Sequence, residues 1–153
     1  MKYLLLILLT LNLYGQNILG KVDVFDMPEF GLSNIKAKID TGAKTSSIHC
    51  SEITLLENNF VKFSPQDSND DSNHIYIVKP ISRISEVKSS NGKSQERYFI
   101  KTTIIIYEKI YNIEVSLSCR TSMKYPLLIG RELLKQGFLV DVSKQDLSFK
   151  SKN

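Results

Sequence analysis

The run Ala37-Lys38-Ile39-Asp40-Thr41-Gly42-Ala43 ends an apolar-alternating stretch on an acid, followed by a small hydroxyl residue and a glycine. A turn of this composition holds a carboxylate at a fixed point of the backbone. Carboxylates hydrolyse an amide in pairs: an ionised one takes a proton from water while a protonated one donates to the carbonyl oxygen. Two acids held side by side cannot both ionise, so one shared proton assigns both roles. The Asp-Thr-Gly run occurs once in this chain, so the second carboxylate has to come from a second copy across a two-fold axis. Alone, aspartate before Thr-Gly is equally an ordinary turn. A second run, Pro126-Leu127-Leu128-Ile129-Gly130-Arg131, sets three apolar residues and a glycine far downstream and gives the first its weight.

The elements that must position these residues are mostly strands. From Ile18 onward the apolar residues recur with a period of two, the pattern of half-buried β-structure. The spacing predicts strands over Ile18 to Val24, Ile35 to Ile39, Ser47 to Ile53, Phe60 to Phe63, Ile75 to Val78, Ile84 to Lys88, Tyr98 to Tyr107, Tyr111 to Ser118 and Phe138 to Val142. Ser89-Ser90-Asn91-Gly92 lies between two of them, and Asn-Gly is the strongest short hairpin signal, because both central residues of a type I′ turn need positive φ. The polar, acidic stretch from Ser64 to Asn73 has nothing to bury and is expected as a surface loop. One short helix is expected at Arg131 to Gln136, with Gly137 as its stop signal.

In this order and spacing the chain resembles retropepsins, in which an apolar-apolar-Gly segment closes around an Asp-Thr-Gly loop and leads into a short helix. It resembles more closely a bacterial family first named ATP-dependent zinc proteases, later recognised as retropepsin-like and often placed beside RimK-type ATP-grasp ligases. The similarity runs from Ile18-Leu19-Gly20 to Asp141. It is carried by Ala37 through Ser46, Ser89 through Gly92, Arg97, Arg120 with Met123 and Tyr125, and Pro126 through Arg131.

The resemblance implies an all-β, retropepsin-like acid-protease barrel with a flap hairpin and one short C-terminal helix. It implies a homodimer acting on a peptide or protein substrate, with Asp40 catalytic. Thr41, Gly42, Ala43, Gly130 and Arg131 would support the site: Thr41 would brace the two loops across the dimer axis or cap its own turn, and Arg131 would pair with an acid near the interface or stand as a solvated first-turn residue. Ser90, Asn91 and Gly92 would form the flap over the substrate. Arg97 and Arg120 have two readings, bidentate contacts to a substrate carboxylate or ordinary surface charge. Lys44 is within reach of the Asp40 loop, although exposure is the usual state of a lysine.

The family's older name finds no support in the residues. There is no His-Glu-x-x-His run, His49 and His74 are the only histidines, and a catalytic zinc usually needs three protein ligands. His49 and Cys50 are consecutive on an expected strand and so face opposite ways. The acidic loop lacks the glycine and distal glutamate of a calcium loop, and no Gly-rich phosphate loop ending in Gly-Lys-Ser/Thr occurs. No metal and no cofactor are expected.

A chain of 153 residues with 42% hydrophobic content suits one domain with a core of its own. Residues 1–15 have the anatomy of an export signal: Lys2, then an almost wholly apolar Tyr3 to Leu13, then Gly15 as the small residue for cleavage. The expectation is a leader over 1–15, a peptidase domain over 16–153, and a periplasmic or secreted location without a membrane span after cleavage. An uncleaved segment anchoring the chain is the alternative. Loss of the leader removes one lysine and lowers the formal charge from +4 to +3, too small and scattered an excess to point to nucleic acid. In an oxidising compartment Cys50 and Cys119 would be free to bridge; the competing and favoured reading is two small buried apolar residues. Two other functions share the barrel: a peptide-binding module without turnover, and a hydrolase of unusual amide bonds in acidic peptide tails.

Overall fold

The computed structural model describes residues 17–66, 75–88, 94–119 and 124–152. The expected leader, the centre of the expected acidic loop, Ser90, Asn91 and Gly92 of the expected hairpin tip, and Arg120 lie outside the described residues.

The strands are β1 (Asn17–Leu19), β2 (Val22–Met27), β3 (Leu32–Ile39), β4 (Ser46–Leu55), β5 (Phe60–Pro65), β6 (Ile77–Pro80), β7 (Arg83–Lys88), β8 (Ser94–Ile106), β9 (Lys109–Ser118), β10 (Leu127–Ile129) and β11 (Phe138–Val140). Two four-residue helices follow, α1 (Arg131–Leu134) and α2 (Leu147–Lys150). The sheet runs β10-β3-β2-β8-β9-β4 and closes where β10 also pairs with β4, giving a six-stranded barrel. Strands β5 and β6 extend it beyond β4, and β7 pairs with β8. This is the all-β acid-protease barrel that the resemblance implied.

Alternation decides what is inside. Ile35, Ala37 and Ile39 of β3 are buried while Lys36 and Lys38 between them are exposed. Phe25, Ile48, Ile100 and Leu127, from four different strands, are inaccessible to solvent. Phe30 meets Phe63 edge-on at 5.4 Å between ring centres, the arrangement that aromatic quadrupoles favour.

The expected strands all appear, with shifted ends. Ile18 to Val24 is two strands, because the chain turns at Gly20, where an added Cβ would lie 2.3 Å from the Lys144 carbonyl oxygen. Ser64 and Pro65, read from sequence as the start of the surface loop, instead finish β5, with Ser64 buried and Pro65 opposite Cys50. The helix expected to Gln136 ends at Leu134, and it is not alone. The second helix, α2, is docked by Asp23, which is fully buried and accepts the backbone N–H groups of Val24, Ser148 and Phe149 at 2.8, 3.0 and 3.2 Å. Four residues held by a carboxylate 125 positions away leave no local signal.

Candidate active site

Asp40 stands immediately beyond the end of β3. Strand β10 runs parallel to β3 with Leu127 opposite Ala37, Leu128 opposite Lys38 and Ile129 opposite Ile39. The ladder continues one step further, where the Asp40 N–H donates to the Ile129 carbonyl at 2.9 Å. The aspartate is thus set at the rim of a rigid sheet rather than on a free loop. Its Oδ1 accepts the N–H groups of Gly42 at 2.9 Å and Ala43 at 3.2 Å, a local turn that orients the carboxylate. Among the described residues Oδ2 has no hydrogen-bond partner, so one oxygen is held and the other is available.

The downstream motif supports this turn from beneath. The Arg131 N–H donates to the Ala43 carbonyl at 2.9 Å, and its Nη1 donates to the carbonyls of Thr41 at 3.0 Å and Gly42 at 2.7 Å. Arg131 therefore braces backbone within its own protomer, a role that spacing along the chain does not reveal. Gly130 is buried, and a Cβ there would meet the Thr45 carbonyl carbon at 2.6 Å and the Lys44 carbonyl oxygen at 3.0 Å. Its N–H donates to the Ser46 Oγ at 3.0 Å in a buried bond. Nothing in the sequence marks Ser46 for this role, which needs the strand pairing that sets β10 against β4.

The remaining candidates fall elsewhere. Thr41 and Gly42 are exposed at the loop tip and Ala43 is half-buried. Lys44 is exposed with Nζ 4.0 Å from a Glu132 carboxylate oxygen. Arg97 lies on β8 opposite Ser85 of β7, in the two-stranded arm whose last described pair is Lys88 and Ser94. That arm is tied to the Asp40 turn by a residue the sequence did not single out. Arg83 donates to Glu114 at 2.9 Å and to the Thr45 hydroxyl at 3.3 Å, and stacks 3.5 Å over the Phe99 ring.

His49 is half-buried with Nδ1 3.2 Å from the Ser118 carbonyl oxygen, whereas Cys50 is buried, as alternation requires. Parallel pairing of β4 with β9 sets His49 opposite Ser118, which carries Cys50 and Cys119 toward one another on adjacent strands. Both thiols are free, and Cys119 is exposed, so only Cys50 fits the reading of a small buried apolar residue. Burial pushes the Cys50 thiol well above its ordinary range.

A closed six-stranded barrel that presents an Asp-Thr-Gly turn, braced by a Gly-Arg segment at the head of a short helix, defines the retropepsin-like class of acid-protease folds. The family model described as "Retropepsin-like aspartic endopeptidase RimB" matches residues 18–151, and the chain belongs to this RimB-like family. Similar proteins include two named "Probable alpha-L-glutamate ligase". The one from Desulfotalea psychrophila is 31% identical over 86% of this chain, and the one from Shewanella pealeana is 33% identical over 83%. The chain spans only 29% of the length of each. Among solved structures, the Legionella pneumophila protein Lpg0085, titled as of unknown function, superposes with a TM-score of 0.70 at 25% identity. That match covers 86% of this chain and 98% of the other.

Proposed function

We propose that the chain is an exported aspartic peptidase whose two Asp40 carboxylates, one from each protomer of a homodimer, activate water for amide hydrolysis. The observation that carries this reading is the state of Asp40: Oδ1 is fixed by two backbone N–H groups, Oδ2 has no partner among the described residues, and the turn is clamped by Arg131. The ionised carboxylate takes a proton from water as its oxygen adds to the carbonyl carbon, and the protonated one donates to the carbonyl oxygen. Collapse of the tetrahedral species breaks the C–N bond as a proton passes to the leaving amine, yielding a carboxylic acid and an amine. Arg131, Gly130 and Ser46 hold the aspartate in register and do not touch substrate. The hairpin arm tied to Thr45 through Arg83 would cover the groove. Export rests on the anatomy of residues 1–15, and the N-terminal residue of the chain recovered from cells tests it.

A second reading is favoured by the glutamate-ligase names of the relatives: the amides cleaved join glutamyl residues in an acidic tail. Both readings are tested with Asp40→Asn, which keeps the turn's size and an oxygen for the Gly42 and Ala43 N–H groups. Turnover of unlabelled peptide pools, including oligoglutamate, should vanish while fold and dimer mass persist. Turnover near the wild-type rate would refute the assignment of Asp40. Dimers that bind peptide without turning over any of them would identify the third candidate, a binding module.

A further inference from the structure

We propose that Cys50 and Cys119 are a disulfide-forming pair, which a disulfide oxidant joins across the seam between β4 and β9. The two strands run parallel, with Ser46 opposite Val115, Ser47 opposite Ser116, Ile48 opposite Leu117 and His49 opposite Ser118. One step further the register sets Cys50 opposite Cys119, and the chain has no other cysteine. Opposed residues of a parallel ladder send their side chains to the same face, and neighbouring strands lie about 5 Å apart. A disulfide needs Cα atoms about 4.4–6.8 Å apart, so the rung after His49 and Ser118 has the spacing that a bridge requires. The sulfurs already lie along this seam. The Cys119 Sγ donates to the Ser51 carbonyl oxygen of β4 at 3.4 Å, and the Cys50 sulfur meets the backbone N–H of Ser118 on β9.

Exposure sets the order of the chemistry. Cys119 is exposed, so its thiolate attacks one sulfur of the oxidant and releases a thiol, leaving a mixed disulfide. Cys50 is inaccessible to solvent, and burial keeps its thiol protonated. It acts second, its sulfur displacing the remaining half of the oxidant as that half takes up the proton. One S–S bond breaks in the oxidant and one forms in the protein, while two electrons and two protons reduce the oxidant to two thiols. The oxidant is a small disulfide or a disulfide-bearing protein, of the kind held by compartments outside the cytoplasm. The bridge adds a covalent rung to β4, the strand that also pairs with β10 and whose Ser46 holds the Gly130 N–H. Cys50 and Cys119 stand 69 positions apart, and closing a loop of this length raises Tm by roughly 10 °C in a domain of this size.

The test incubates the full chain, natively folded, with oxidised glutathione, then denatures it, treats it with a maleimide and reads the intact mass and the linked peptides by mass spectrometry. The expected product is lighter by two hydrogens, takes up no maleimide and yields one peptide pair joined through Cys50 and Cys119. Its Tm should fall by roughly 10 °C when a phosphine reductant is added. Cys119→Ser changes an exposed side chain; this variant should unfold where the reduced parent does, with or without reductant. A chain that keeps both thiols would overturn the proposal, as would one that stops at a glutathione adduct on Cys119 or is joined to a second copy through that residue. A bridged chain whose Tm is indifferent to the reductant would overturn it as well. None of these measurements involves hydrolysis, so their outcome is independent of the peptidase reading.

Discussion

Gly130→Ala probes the support of Asp40 without touching a titratable group. The added Cβ would lie 2.6 Å from the Thr45 carbonyl carbon, 2.8 Å from its oxygen and 3.0 Å from the Lys44 oxygen. All three neighbours are backbone, and ordinary contact begins near 3.4 Å, so the 44–45 segment has to retreat by about 0.8 Å. Overpacking of this kind costs about 1–3 kcal/mol, and for a chain of this length each kcal/mol lowers Tm by roughly 2–4 °C. The same shift moves Ala43 and the Arg131 bonds, and through them the Asp40 carboxylate. Misplacement near 1 Å lowers turnover on the order of a hundredfold. Thermal unfolding followed by circular dichroism measures the first effect and initial rates on a cleaved peptide the second. A Gly130→Ala protein with unchanged Tm and unchanged kcat would refute the view that close packing beneath the turn positions the aspartate.

Three further outcomes are expected. Asp23→Ala strips the buried N–H of Ser148 and the half-buried N–H of Phe149 of their acceptor, which should cost about 3 kcal/mol. Tm should fall accordingly, and amide exchange over 147–150 should accelerate; a Tm within 2 °C of wild type would contradict the cap by the same scale. Glu29 is held below its ordinary carboxyl value chiefly by its hydrogen bond from Lys79, with a further bond from Thr103, against an opposing effect of burial. A depressed value in the folded state stabilises above the unfolded value and is lost as pH falls through the folded one. The stability gap between wild type and Glu29→Gln should therefore be widest above pH 4.5 and close below it, as denaturant titrations at several pH values can show. Chelators and ATP should leave hydrolysis unchanged, while a peptide mimic with a central hydroxyl inhibits; inhibition by a chelator reversed by added zinc would contradict the two-carboxylate mechanism.

Local sequence determined the strands, the turn chemistry and the pair of motifs, because alternation with a period of two and the preferences of Asp, Thr and Gly act within a few residues. Asp40 and Gly130 were legible for that reason, and the family resemblance joined them before any pairing was known. What each motif residue does was decided by tertiary structure. Leu127–Ile129 is too short to announce itself as a strand, yet inserted between β3 and β4 it closes the barrel and brings Gly130 to Thr45, Ser46 to the Gly130 N–H, and Arg131 to two carbonyls. The docking of α2 on Asp23 likewise joins positions 125 and 126 residues apart. Such contacts follow from which strands lie side by side, and a pattern with a range of two to four residues carries no record of that choice.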